Sequence, residues 1–172
     1  MHRALLLLLT SSACVSATAG IDTTPIVASN GTPDLVSVGT LGFGVALDRK
    51  SAVNIEVDVG ASIRSPFLLG ESLSYTYIGT KGGWRAGIGG LGAPLESRTL
   101  RLRAFGQYVL PLRQRDSSSH SGSGKFTLFS FRQSSYWTLA VGPEVSTYIG
   151  DGDNRIAMGL GFRIGWFWMQ ED

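Results

Sequence analysis

The chain has 172 residues, 43% hydrophobic and 16% charged, with 15 basic residues against 13 acidic ones. That length suits one domain, and so near a balance of charge provides no field that would favour nucleic acid. A charged fraction below the roughly 25% of soluble domains argues against an ordinary hydrated surface. Lysine in particular is confined to Lys50, Lys81 and Lys125, whereas glycine occurs 23 times.

Residues 1–19 read as a secretory signal peptide. Arg3 gives a short basic start, Ala4 to Thr10 is almost all leucine, and Ala17-Thr18-Ala19 places small residues where a signal peptidase looks. Cleavage is therefore expected before Gly20. A membrane-spanning helix needs about 20 apolar residues, and this stretch is too short and interrupted by serines. Cys14 leaves open a lipoprotein alternative, although Ser11 stands where such signals carry a branched apolar residue. Ordinary cleavage would leave a mature chain without cysteine, so neither a disulfide framework nor a thiolate metal site is expected. Residues 20–34, with Pro25, Asn30-Gly31 and Pro33, read as a short lead-in.

From residue 35 onward the main signal is alternation of period two, the mark of two-faced strands. Leu35 to Leu47 sets Leu41, Phe43, Val45 and Leu47 opposite Thr40, Gly42, Gly44 and Ala46. Between 53 and 64, Val53, Ile55, Val57, Val59 and Ile63 alternate with Asn54, Glu56, Asp58, Ser62 and Arg64. Ser72 to Gly79 aligns Leu73, Tyr75 and Tyr77, and the glycine-rich run Trp84 to Leu91 is poorly patterned. Residues 99–112 place Leu100, Leu102, Tyr108 and Leu110 opposite Arg101, Arg103 and Gln107. Lys125 to Arg132 is aromatic and ambiguous between strand and loop. In 136–149 the large face is Trp137, Leu139, Val141, Val145 and Ile149, and in 155–168 it runs from Ile156 to Trp168. Turn residues at Asp48-Arg49-Lys50, Lys81-Gly82-Gly83 and Gly150-Asp151-Gly152-Asp153 join neighbouring runs as hairpins. The count is eight strands, with six or seven as alternatives, in an all-β meander.

What lies behind the large residues decides the medium. In 155–168 it is mostly glycine, alanine and Arg163, a poor hydrated surface but a good filling for a narrow barrel whose large side chains face lipid. Closure also removes the unpaired edges that lipid does not tolerate. A strand of 12 to 13 residues, tilted by about 40–45°, spans ~30 Å. The aromatics Trp84, Tyr136, Trp137, Tyr148, Trp166 and Trp168 gather toward run ends, where interfacial girdles belong. The reading is a single up-and-down antiparallel transmembrane β-barrel over residues 35–172, with a soluble exported β-barrel or β-sandwich binding protein as the alternative.

On this pattern the chain resembles the small outer-membrane β-barrel proteins of Gram-negative bacteria, those of OmpA/OmpX-like architecture. The closing segment Gly159 to Trp168 looks like the C-terminal strand that such proteins present to their assembly machinery, although Met169-Gln170-Glu171-Asp172 follow it. The resemblance implies a cell outer-membrane location and both termini in the periplasm. Its implied partners are outer-membrane lipid, lipopolysaccharide and the assembly machinery, with the barrel a monomer. The connections near 48–50, 80–83, 113–124 and 150–153 would then face outside.

No arrangement of catalytic, cofactor-binding or metal-ligating residues stands out. Glu56, Asp58, Arg85, Arg101, Arg103, Glu144 and Arg163 are expected inward, where buried charges must pair. Their near balance in so narrow a barrel argues for packing rather than an open pore. Glu56 and Asp58 lie three strands from Arg101 and Arg103 and could meet them across the lumen. Some barrels of this kind are lipid-modifying enzymes using His, Ser and an acid. Here His120 lies in the stretch Asp116 to Ser121, which reads as a flexible loop, and Gly122 stands where that arrangement has its serine. The expectation is a barrel with a structural or surface-interaction role and no enzymatic activity or cofactor, the lipid-modifying enzyme being an alternative.

Overall fold

The computed structural model describes residues 14–93, 100–121, 129–150 and 155–171. Eight strands follow the chain: β1 (Val15–Ala28), β2 (Pro33–Asp48), β3 (Ser51–Ser62), β4 (Leu68–Ile78), β5 (Gly83–Gly92), β6 (Leu100–Ser121), β7 (Phe129–Ile149) and β8 (Arg155–Glu171). Each pairs antiparallel with its successor, and β8 pairs back onto β1, so the sheet is a closed up-and-down barrel. The described residues include no helix.

The register fixes the barrel's dimensions. Starting at Ser16, the pairs run through Gly44, Asn54, Ser74, Gly87, Phe105, Glu144 and Gly159, and return to β1 at Ile26, ten residues along. With about 3.3 Å of rise per residue and about 4.8 Å between strands, that stagger tilts the strands by about 40°. A barrel of this size has an interior that side chains can fill.

The count of eight is as expected, but two of its members differ. β1 covers residues expected in the signal peptide and the lead-in, so the barrel begins at Val15 rather than at 35. Its Val15–Ala19 portion is paired on both sides, with Val45–Leu41 of β2 and Gln170–Trp166 of β8. The proposed cleavage before Gly20 would cut within this strand; residues 1–13 lie outside the described residues. Nor do residues 129–132 belong to a strand separate from the next one, and residues 125–128 lie outside the described residues. Phe129 to Arg132 begin β7, paired with Ser121 to Ser118 of β6.

These two changes redistribute the connections. Turns 49–50 and 79–82, and the far end of the β6–β7 hairpin, lie at the same end of the barrel as Val15 and Glu171. Only the β7–β8 connection, of the four expected to share a side, lies at the opposite end, with turns 29–32 and 63–67. The long stretch 113–121, expected to be loop, is strand. Beyond an irregularity between Pro111 and Arg113, β6 pairs with β7 alone, because its ladder with β5 stops at Val109 opposite Gly83.

Alternation then sorts the side chains. Outward positions are apolar and exposed: Leu41 is 64%, Phe43 72%, Ile55 65% and Ile164 60% accessible. The inner surface is layered. At the end bearing the termini, an apolar cluster contains Ala52, Ile78, Val109, Phe167 and Met169, with half-buried Cys14 against it. At the opposite end a second cluster holds Ile26, Val36, Val38, Leu68 and Leu91. Polar and charged groups occupy the middle.

Several aromatics expected at strand ends form an outer belt at one end. Tyr77, Trp84 and Tyr108 are successive ladder partners, and Trp137 lies opposite Trp166, all toward the end carrying the termini. Tyr136 is buried in the lumen instead, and Tyr148 packs against the inner cluster of the opposite end.

Candidate functional site

The middle layer of the lumen is an ion-pair network. All seven inward charges expected from the alternation are there and buried, Glu56 and Asp58 completely. An eighth, Asp22, comes from β1 and is 3% exposed. The sequence places it in the lead-in, where a lone aspartate carries no sign of burial.

Four carboxylates meet four guanidiniums. Arg163 Nη1 donates to Asp22 Oδ2 at 2.5 Å and to Thr40 Oγ1 at 2.7 Å, while its Nη2 reaches Thr18 Oγ1 at 3.1 Å. Arg85 Nη2 bonds Glu56 Oε2, whose other oxygen accepts from Ser74 Oγ at 2.6 Å. Arg103 Nη2 lies 2.6 Å from Asp58 Oδ2, so that pair does span the three strands expected. Arg101 does not reach β3; its Nη2 bonds Glu144 Oε1 at 2.5 Å and its Nε bonds Ser146 Oγ at 2.9 Å. Glu144 also accepts from Thr24 Oγ1 at 3.0 Å. Two cations stand over the Phe105 ring, the carbon centres of Arg85 and Arg103 lying 4.3 and 5.3 Å from its centre. Burial of an ion in low dielectric is costly unless it is paired and its remaining sites are satisfied, and this network meets most of that demand with short hydroxyl side chains from neighbouring strands.

The glycines of the inner face make room for these groups. A Cβ on Gly20 would come within 2.7 Å of the Arg163 guanidinium, and one on Gly42 within 2.6 Å of Glu56 Cγ. This explains why the lumen face reads as glycine and small residues while the outer face is free to carry large ones.

Beyond the second apolar cluster, at the end opposite the termini, is a cavity of about 360 Å³. One wall carries Arg101, Tyr148 and Arg155, consecutive partners across β6, β7 and β8. Facing groups include the aliphatic side chains of Ile26, Val36, Leu68 and Leu91, with Asp34 from β2 and Arg64 from the turn after β3.

His120 lies in the part of β6 that extends past the barrel, opposite Ser130. The region has regular ladder pairing rather than the expected loop, and Gly122 falls outside the described residues. Among the described residues no group of three or more His, Cys, Asp and Glu side chains is placed to hold a metal ion. No known family model, no characterised protein and no solved structure matches this chain.

Proposed function

We propose that this chain is a small outer-membrane β-barrel of OmpA/OmpX-like architecture, with a filled lumen, no enzymatic activity and a structural or surface-interaction role. The observation that carries this reading is the inverted distribution of polarity. Four ion-paired arginines line the inside, while the outer surface bears exposed Leu, Ile, Val, Phe and Trp on every strand from β2 to β8. Soluble monomers rarely expose contiguous apolar patches beyond a few hundred Å², whereas a belt running round a closed barrel suits hydrocarbon. From Val53 on β3 to Ile63, the residue just past its end, the outward apolar face covers a height of about 25 Å at a 40° tilt, which matches the apolar band of bacterial barrels. The outer aromatic belt near one rim supports the same reading.

With the termini in the periplasm, as in barrels of this type, the cavity beside Arg101 opens toward the cell exterior and the β6–β7 extension toward the periplasm. Lipid, lipopolysaccharide and the barrel-assembly machinery are the partners this reading implies, with the protein a monomer. Apolar layers on both sides of the charged middle give no support, among the described residues, to a diffusion pore. Fractionation of expressing cells tests the location. The protein should sediment with outer membranes and migrate faster on a denaturing gel unheated than boiled. Recovery in the soluble periplasmic fraction would overturn the reading.

A further inference from the structure

The apolar exterior has one break. Between the two rims, the outward positions of the described strands carry a single charged side chain, Glu71 of β4, exposed between Leu69 and Leu73. Across the ladders it stands beside Val57 of β3 and Gly90 of β5. Val57 lies close to the centre of the outward run from Val53 to Ile63, and the ladder climbs about 3 Å per strand away from the termini. Glu71 is therefore within a few Å of the middle of the apolar band. Among the described residues, no hydrogen bond or ion pair reaches its carboxylate. Beside it the wall is low. A Cβ on Gly90 would find nothing nearer than 3.6 Å. Glu71, Ile55, Leu73, Ile88, Leu102 and Val145 line an open groove of about 860 Å³.

A carboxylate facing hydrocarbon is costly unless a counter-charge or a donor meets it. At this depth lipid offers neither, because the head groups lie about 13–15 Å away on either side, beyond a glutamate's reach. A second copy turned about the membrane normal would set residues of equal depth together. The described outward residues near that depth, Glu71 apart, are apolar, glycine or hydroxyl-bearing, so a second copy supplies no cation. We propose that Glu71 and the groove beside it form a docking site within the membrane for a different protein, one whose membrane-spanning segment presents a lysine or arginine at mid-depth. The basic side chain enters over Gly90, where no Cβ obstructs it, and pairs with the Glu71 carboxylate. The apolar remainder of the segment packs on Ile88, Leu102 and Val145. This proposal rests on the outer-membrane reading.

The test uses the barrel in phosphatidylcholine vesicles and a synthetic membrane-spanning helix of leucine and alanine, carrying a dansyl acceptor and one central lysine. Energy transfer from the barrel's four tryptophans reports association. The lysine helix should associate saturably, and about tenfold more tightly than the same helix with leucine at its centre, as expected for one charge-assisted contact in a bilayer. Glu71→Gln should remove most of that difference and Glu71→Leu all of it. Gly90→Leu, which fills the space beside the carboxylate, should also remove it with Glu71 intact. A second measurement reads the state of the carboxylate without any helix present: Glu71→Leu should raise the unfolding midpoint in vesicles. A lowered midpoint would show the carboxylate paired within its own chain, Arg98 of the adjoining connection being the basic residue to substitute, and would overturn the proposal. Equal affinity of the parent for the two helices would do so as well. So would self-association of the barrel that Glu71→Leu abolishes, which assigns the face to a second copy. The unheated-gel shift and vesicle flotation are run on every sample. A barrel that does not enter the vesicles removes the membrane reading and this proposal together, whereas one that enters and ignores the lysine removes this proposal alone.

Discussion

Glu56 concentrates the physics of the lumen in one side chain. It is fully buried, bonded to Arg85 and Ser74, and fits where Gly42 has no side chain. Replacing it with leucine strands the Arg85 guanidinium, whose other carboxylate, Asp22, stands 3.9 Å away and is engaged by Arg163. Breaking a buried pair on one side costs about 3–5 kcal/mol. Equilibrium unfolding of the Glu56→Leu barrel should show a loss in that range, moderated by Asp22. The double variant Glu56→Leu with Arg85→Met should recover most of it, because removing both ions leaves none unpaired. If the double variant is as unstable as the single one, the two side chains do not act as a pair. Gly42 gives a second case. Valine there would drive Cβ toward Glu56 Cγ, Thr18 Cγ2 and the Ile55 carbonyl, all within 3.0 Å, and overpacking of this kind costs about 1–3 kcal/mol. Gly39, three residues earlier on the outer face, has just the Val59 carbonyl within 4 Å at 3.6 Å. Gly39→Ala should be tolerated, so unfolding midpoints of the two variants compare lumen and surface within one strand.

Among the elements, β1 is where sequence reasoning and structure part. Its inward residues Ser16, Thr18, Asp22, Thr24 and Ile26 alternate as any strand's do, but the outward ones include Ala17, Ala19, Thr23 and Pro25, too small or too polar to show a face. Small residues at 17 and 19 satisfy a peptidase pattern and a strand at once, and nothing local separates the two. On β3 and β6 the faces were legible because charges two apart, Glu56 with Asp58 and Arg101 with Arg103, interrupt runs of large apolar residues. Which acid meets which base was less legible, since it depends on stagger across the lumen; Arg103 finds Asp58 but Arg101 turns to Glu144 beside it. The Ser-rich stretch 117–121 read as loop by composition, yet its backbone has partners in 129–133. β1 also yields a prediction. A chain beginning at Gly20 lacks Ser16, which donates to Asn54 at 2.7 Å, Thr18, which accepts from Arg163, and the Cys14 carbonyl that accepts from Ala46 N–H. It also opens the β1 ladders with β2 and β8 over five residues. Refolded into lipid vesicles, a chain beginning at Cys14 should give the heat-sensitive fast gel band in higher yield, and at a higher unfolding midpoint, than one beginning at Gly20. Equal behaviour would mean that Val15–Ala19 contribute nothing to closure.

For the whole molecule, the inverted polarity makes a prediction whose sign depends on the medium. Leu160 faces outward on β8, 45% exposed, opposite Pro143 of β7, and is flanked along the strand's outer face by Met158 and Phe162. In water an exposed leucine is at best neutral, and Leu160→Arg would change stability by no more than the roughly ±0.5 kcal/mol of ordinary surface substitutions. Near the middle of a bilayer the same change places a guanidinium in hydrocarbon and costs roughly 2–4 kcal/mol. The inward neighbour supplies the control: Gly161 lies beside Gln107 and Thr24 within the lumen, so the cost at 160 comes from the outer medium and not from the core. Measured by reversible unfolding from lipid vesicles, Leu160→Arg should be destabilised by an amount in the bilayer range, and an arginine in place of Ile156, nearer the rim, by less. A depth-dependent penalty of this form belongs to a membrane-spanning barrel. Two near-zero values would instead describe a barrel whose apolar exterior is covered by something other than lipid.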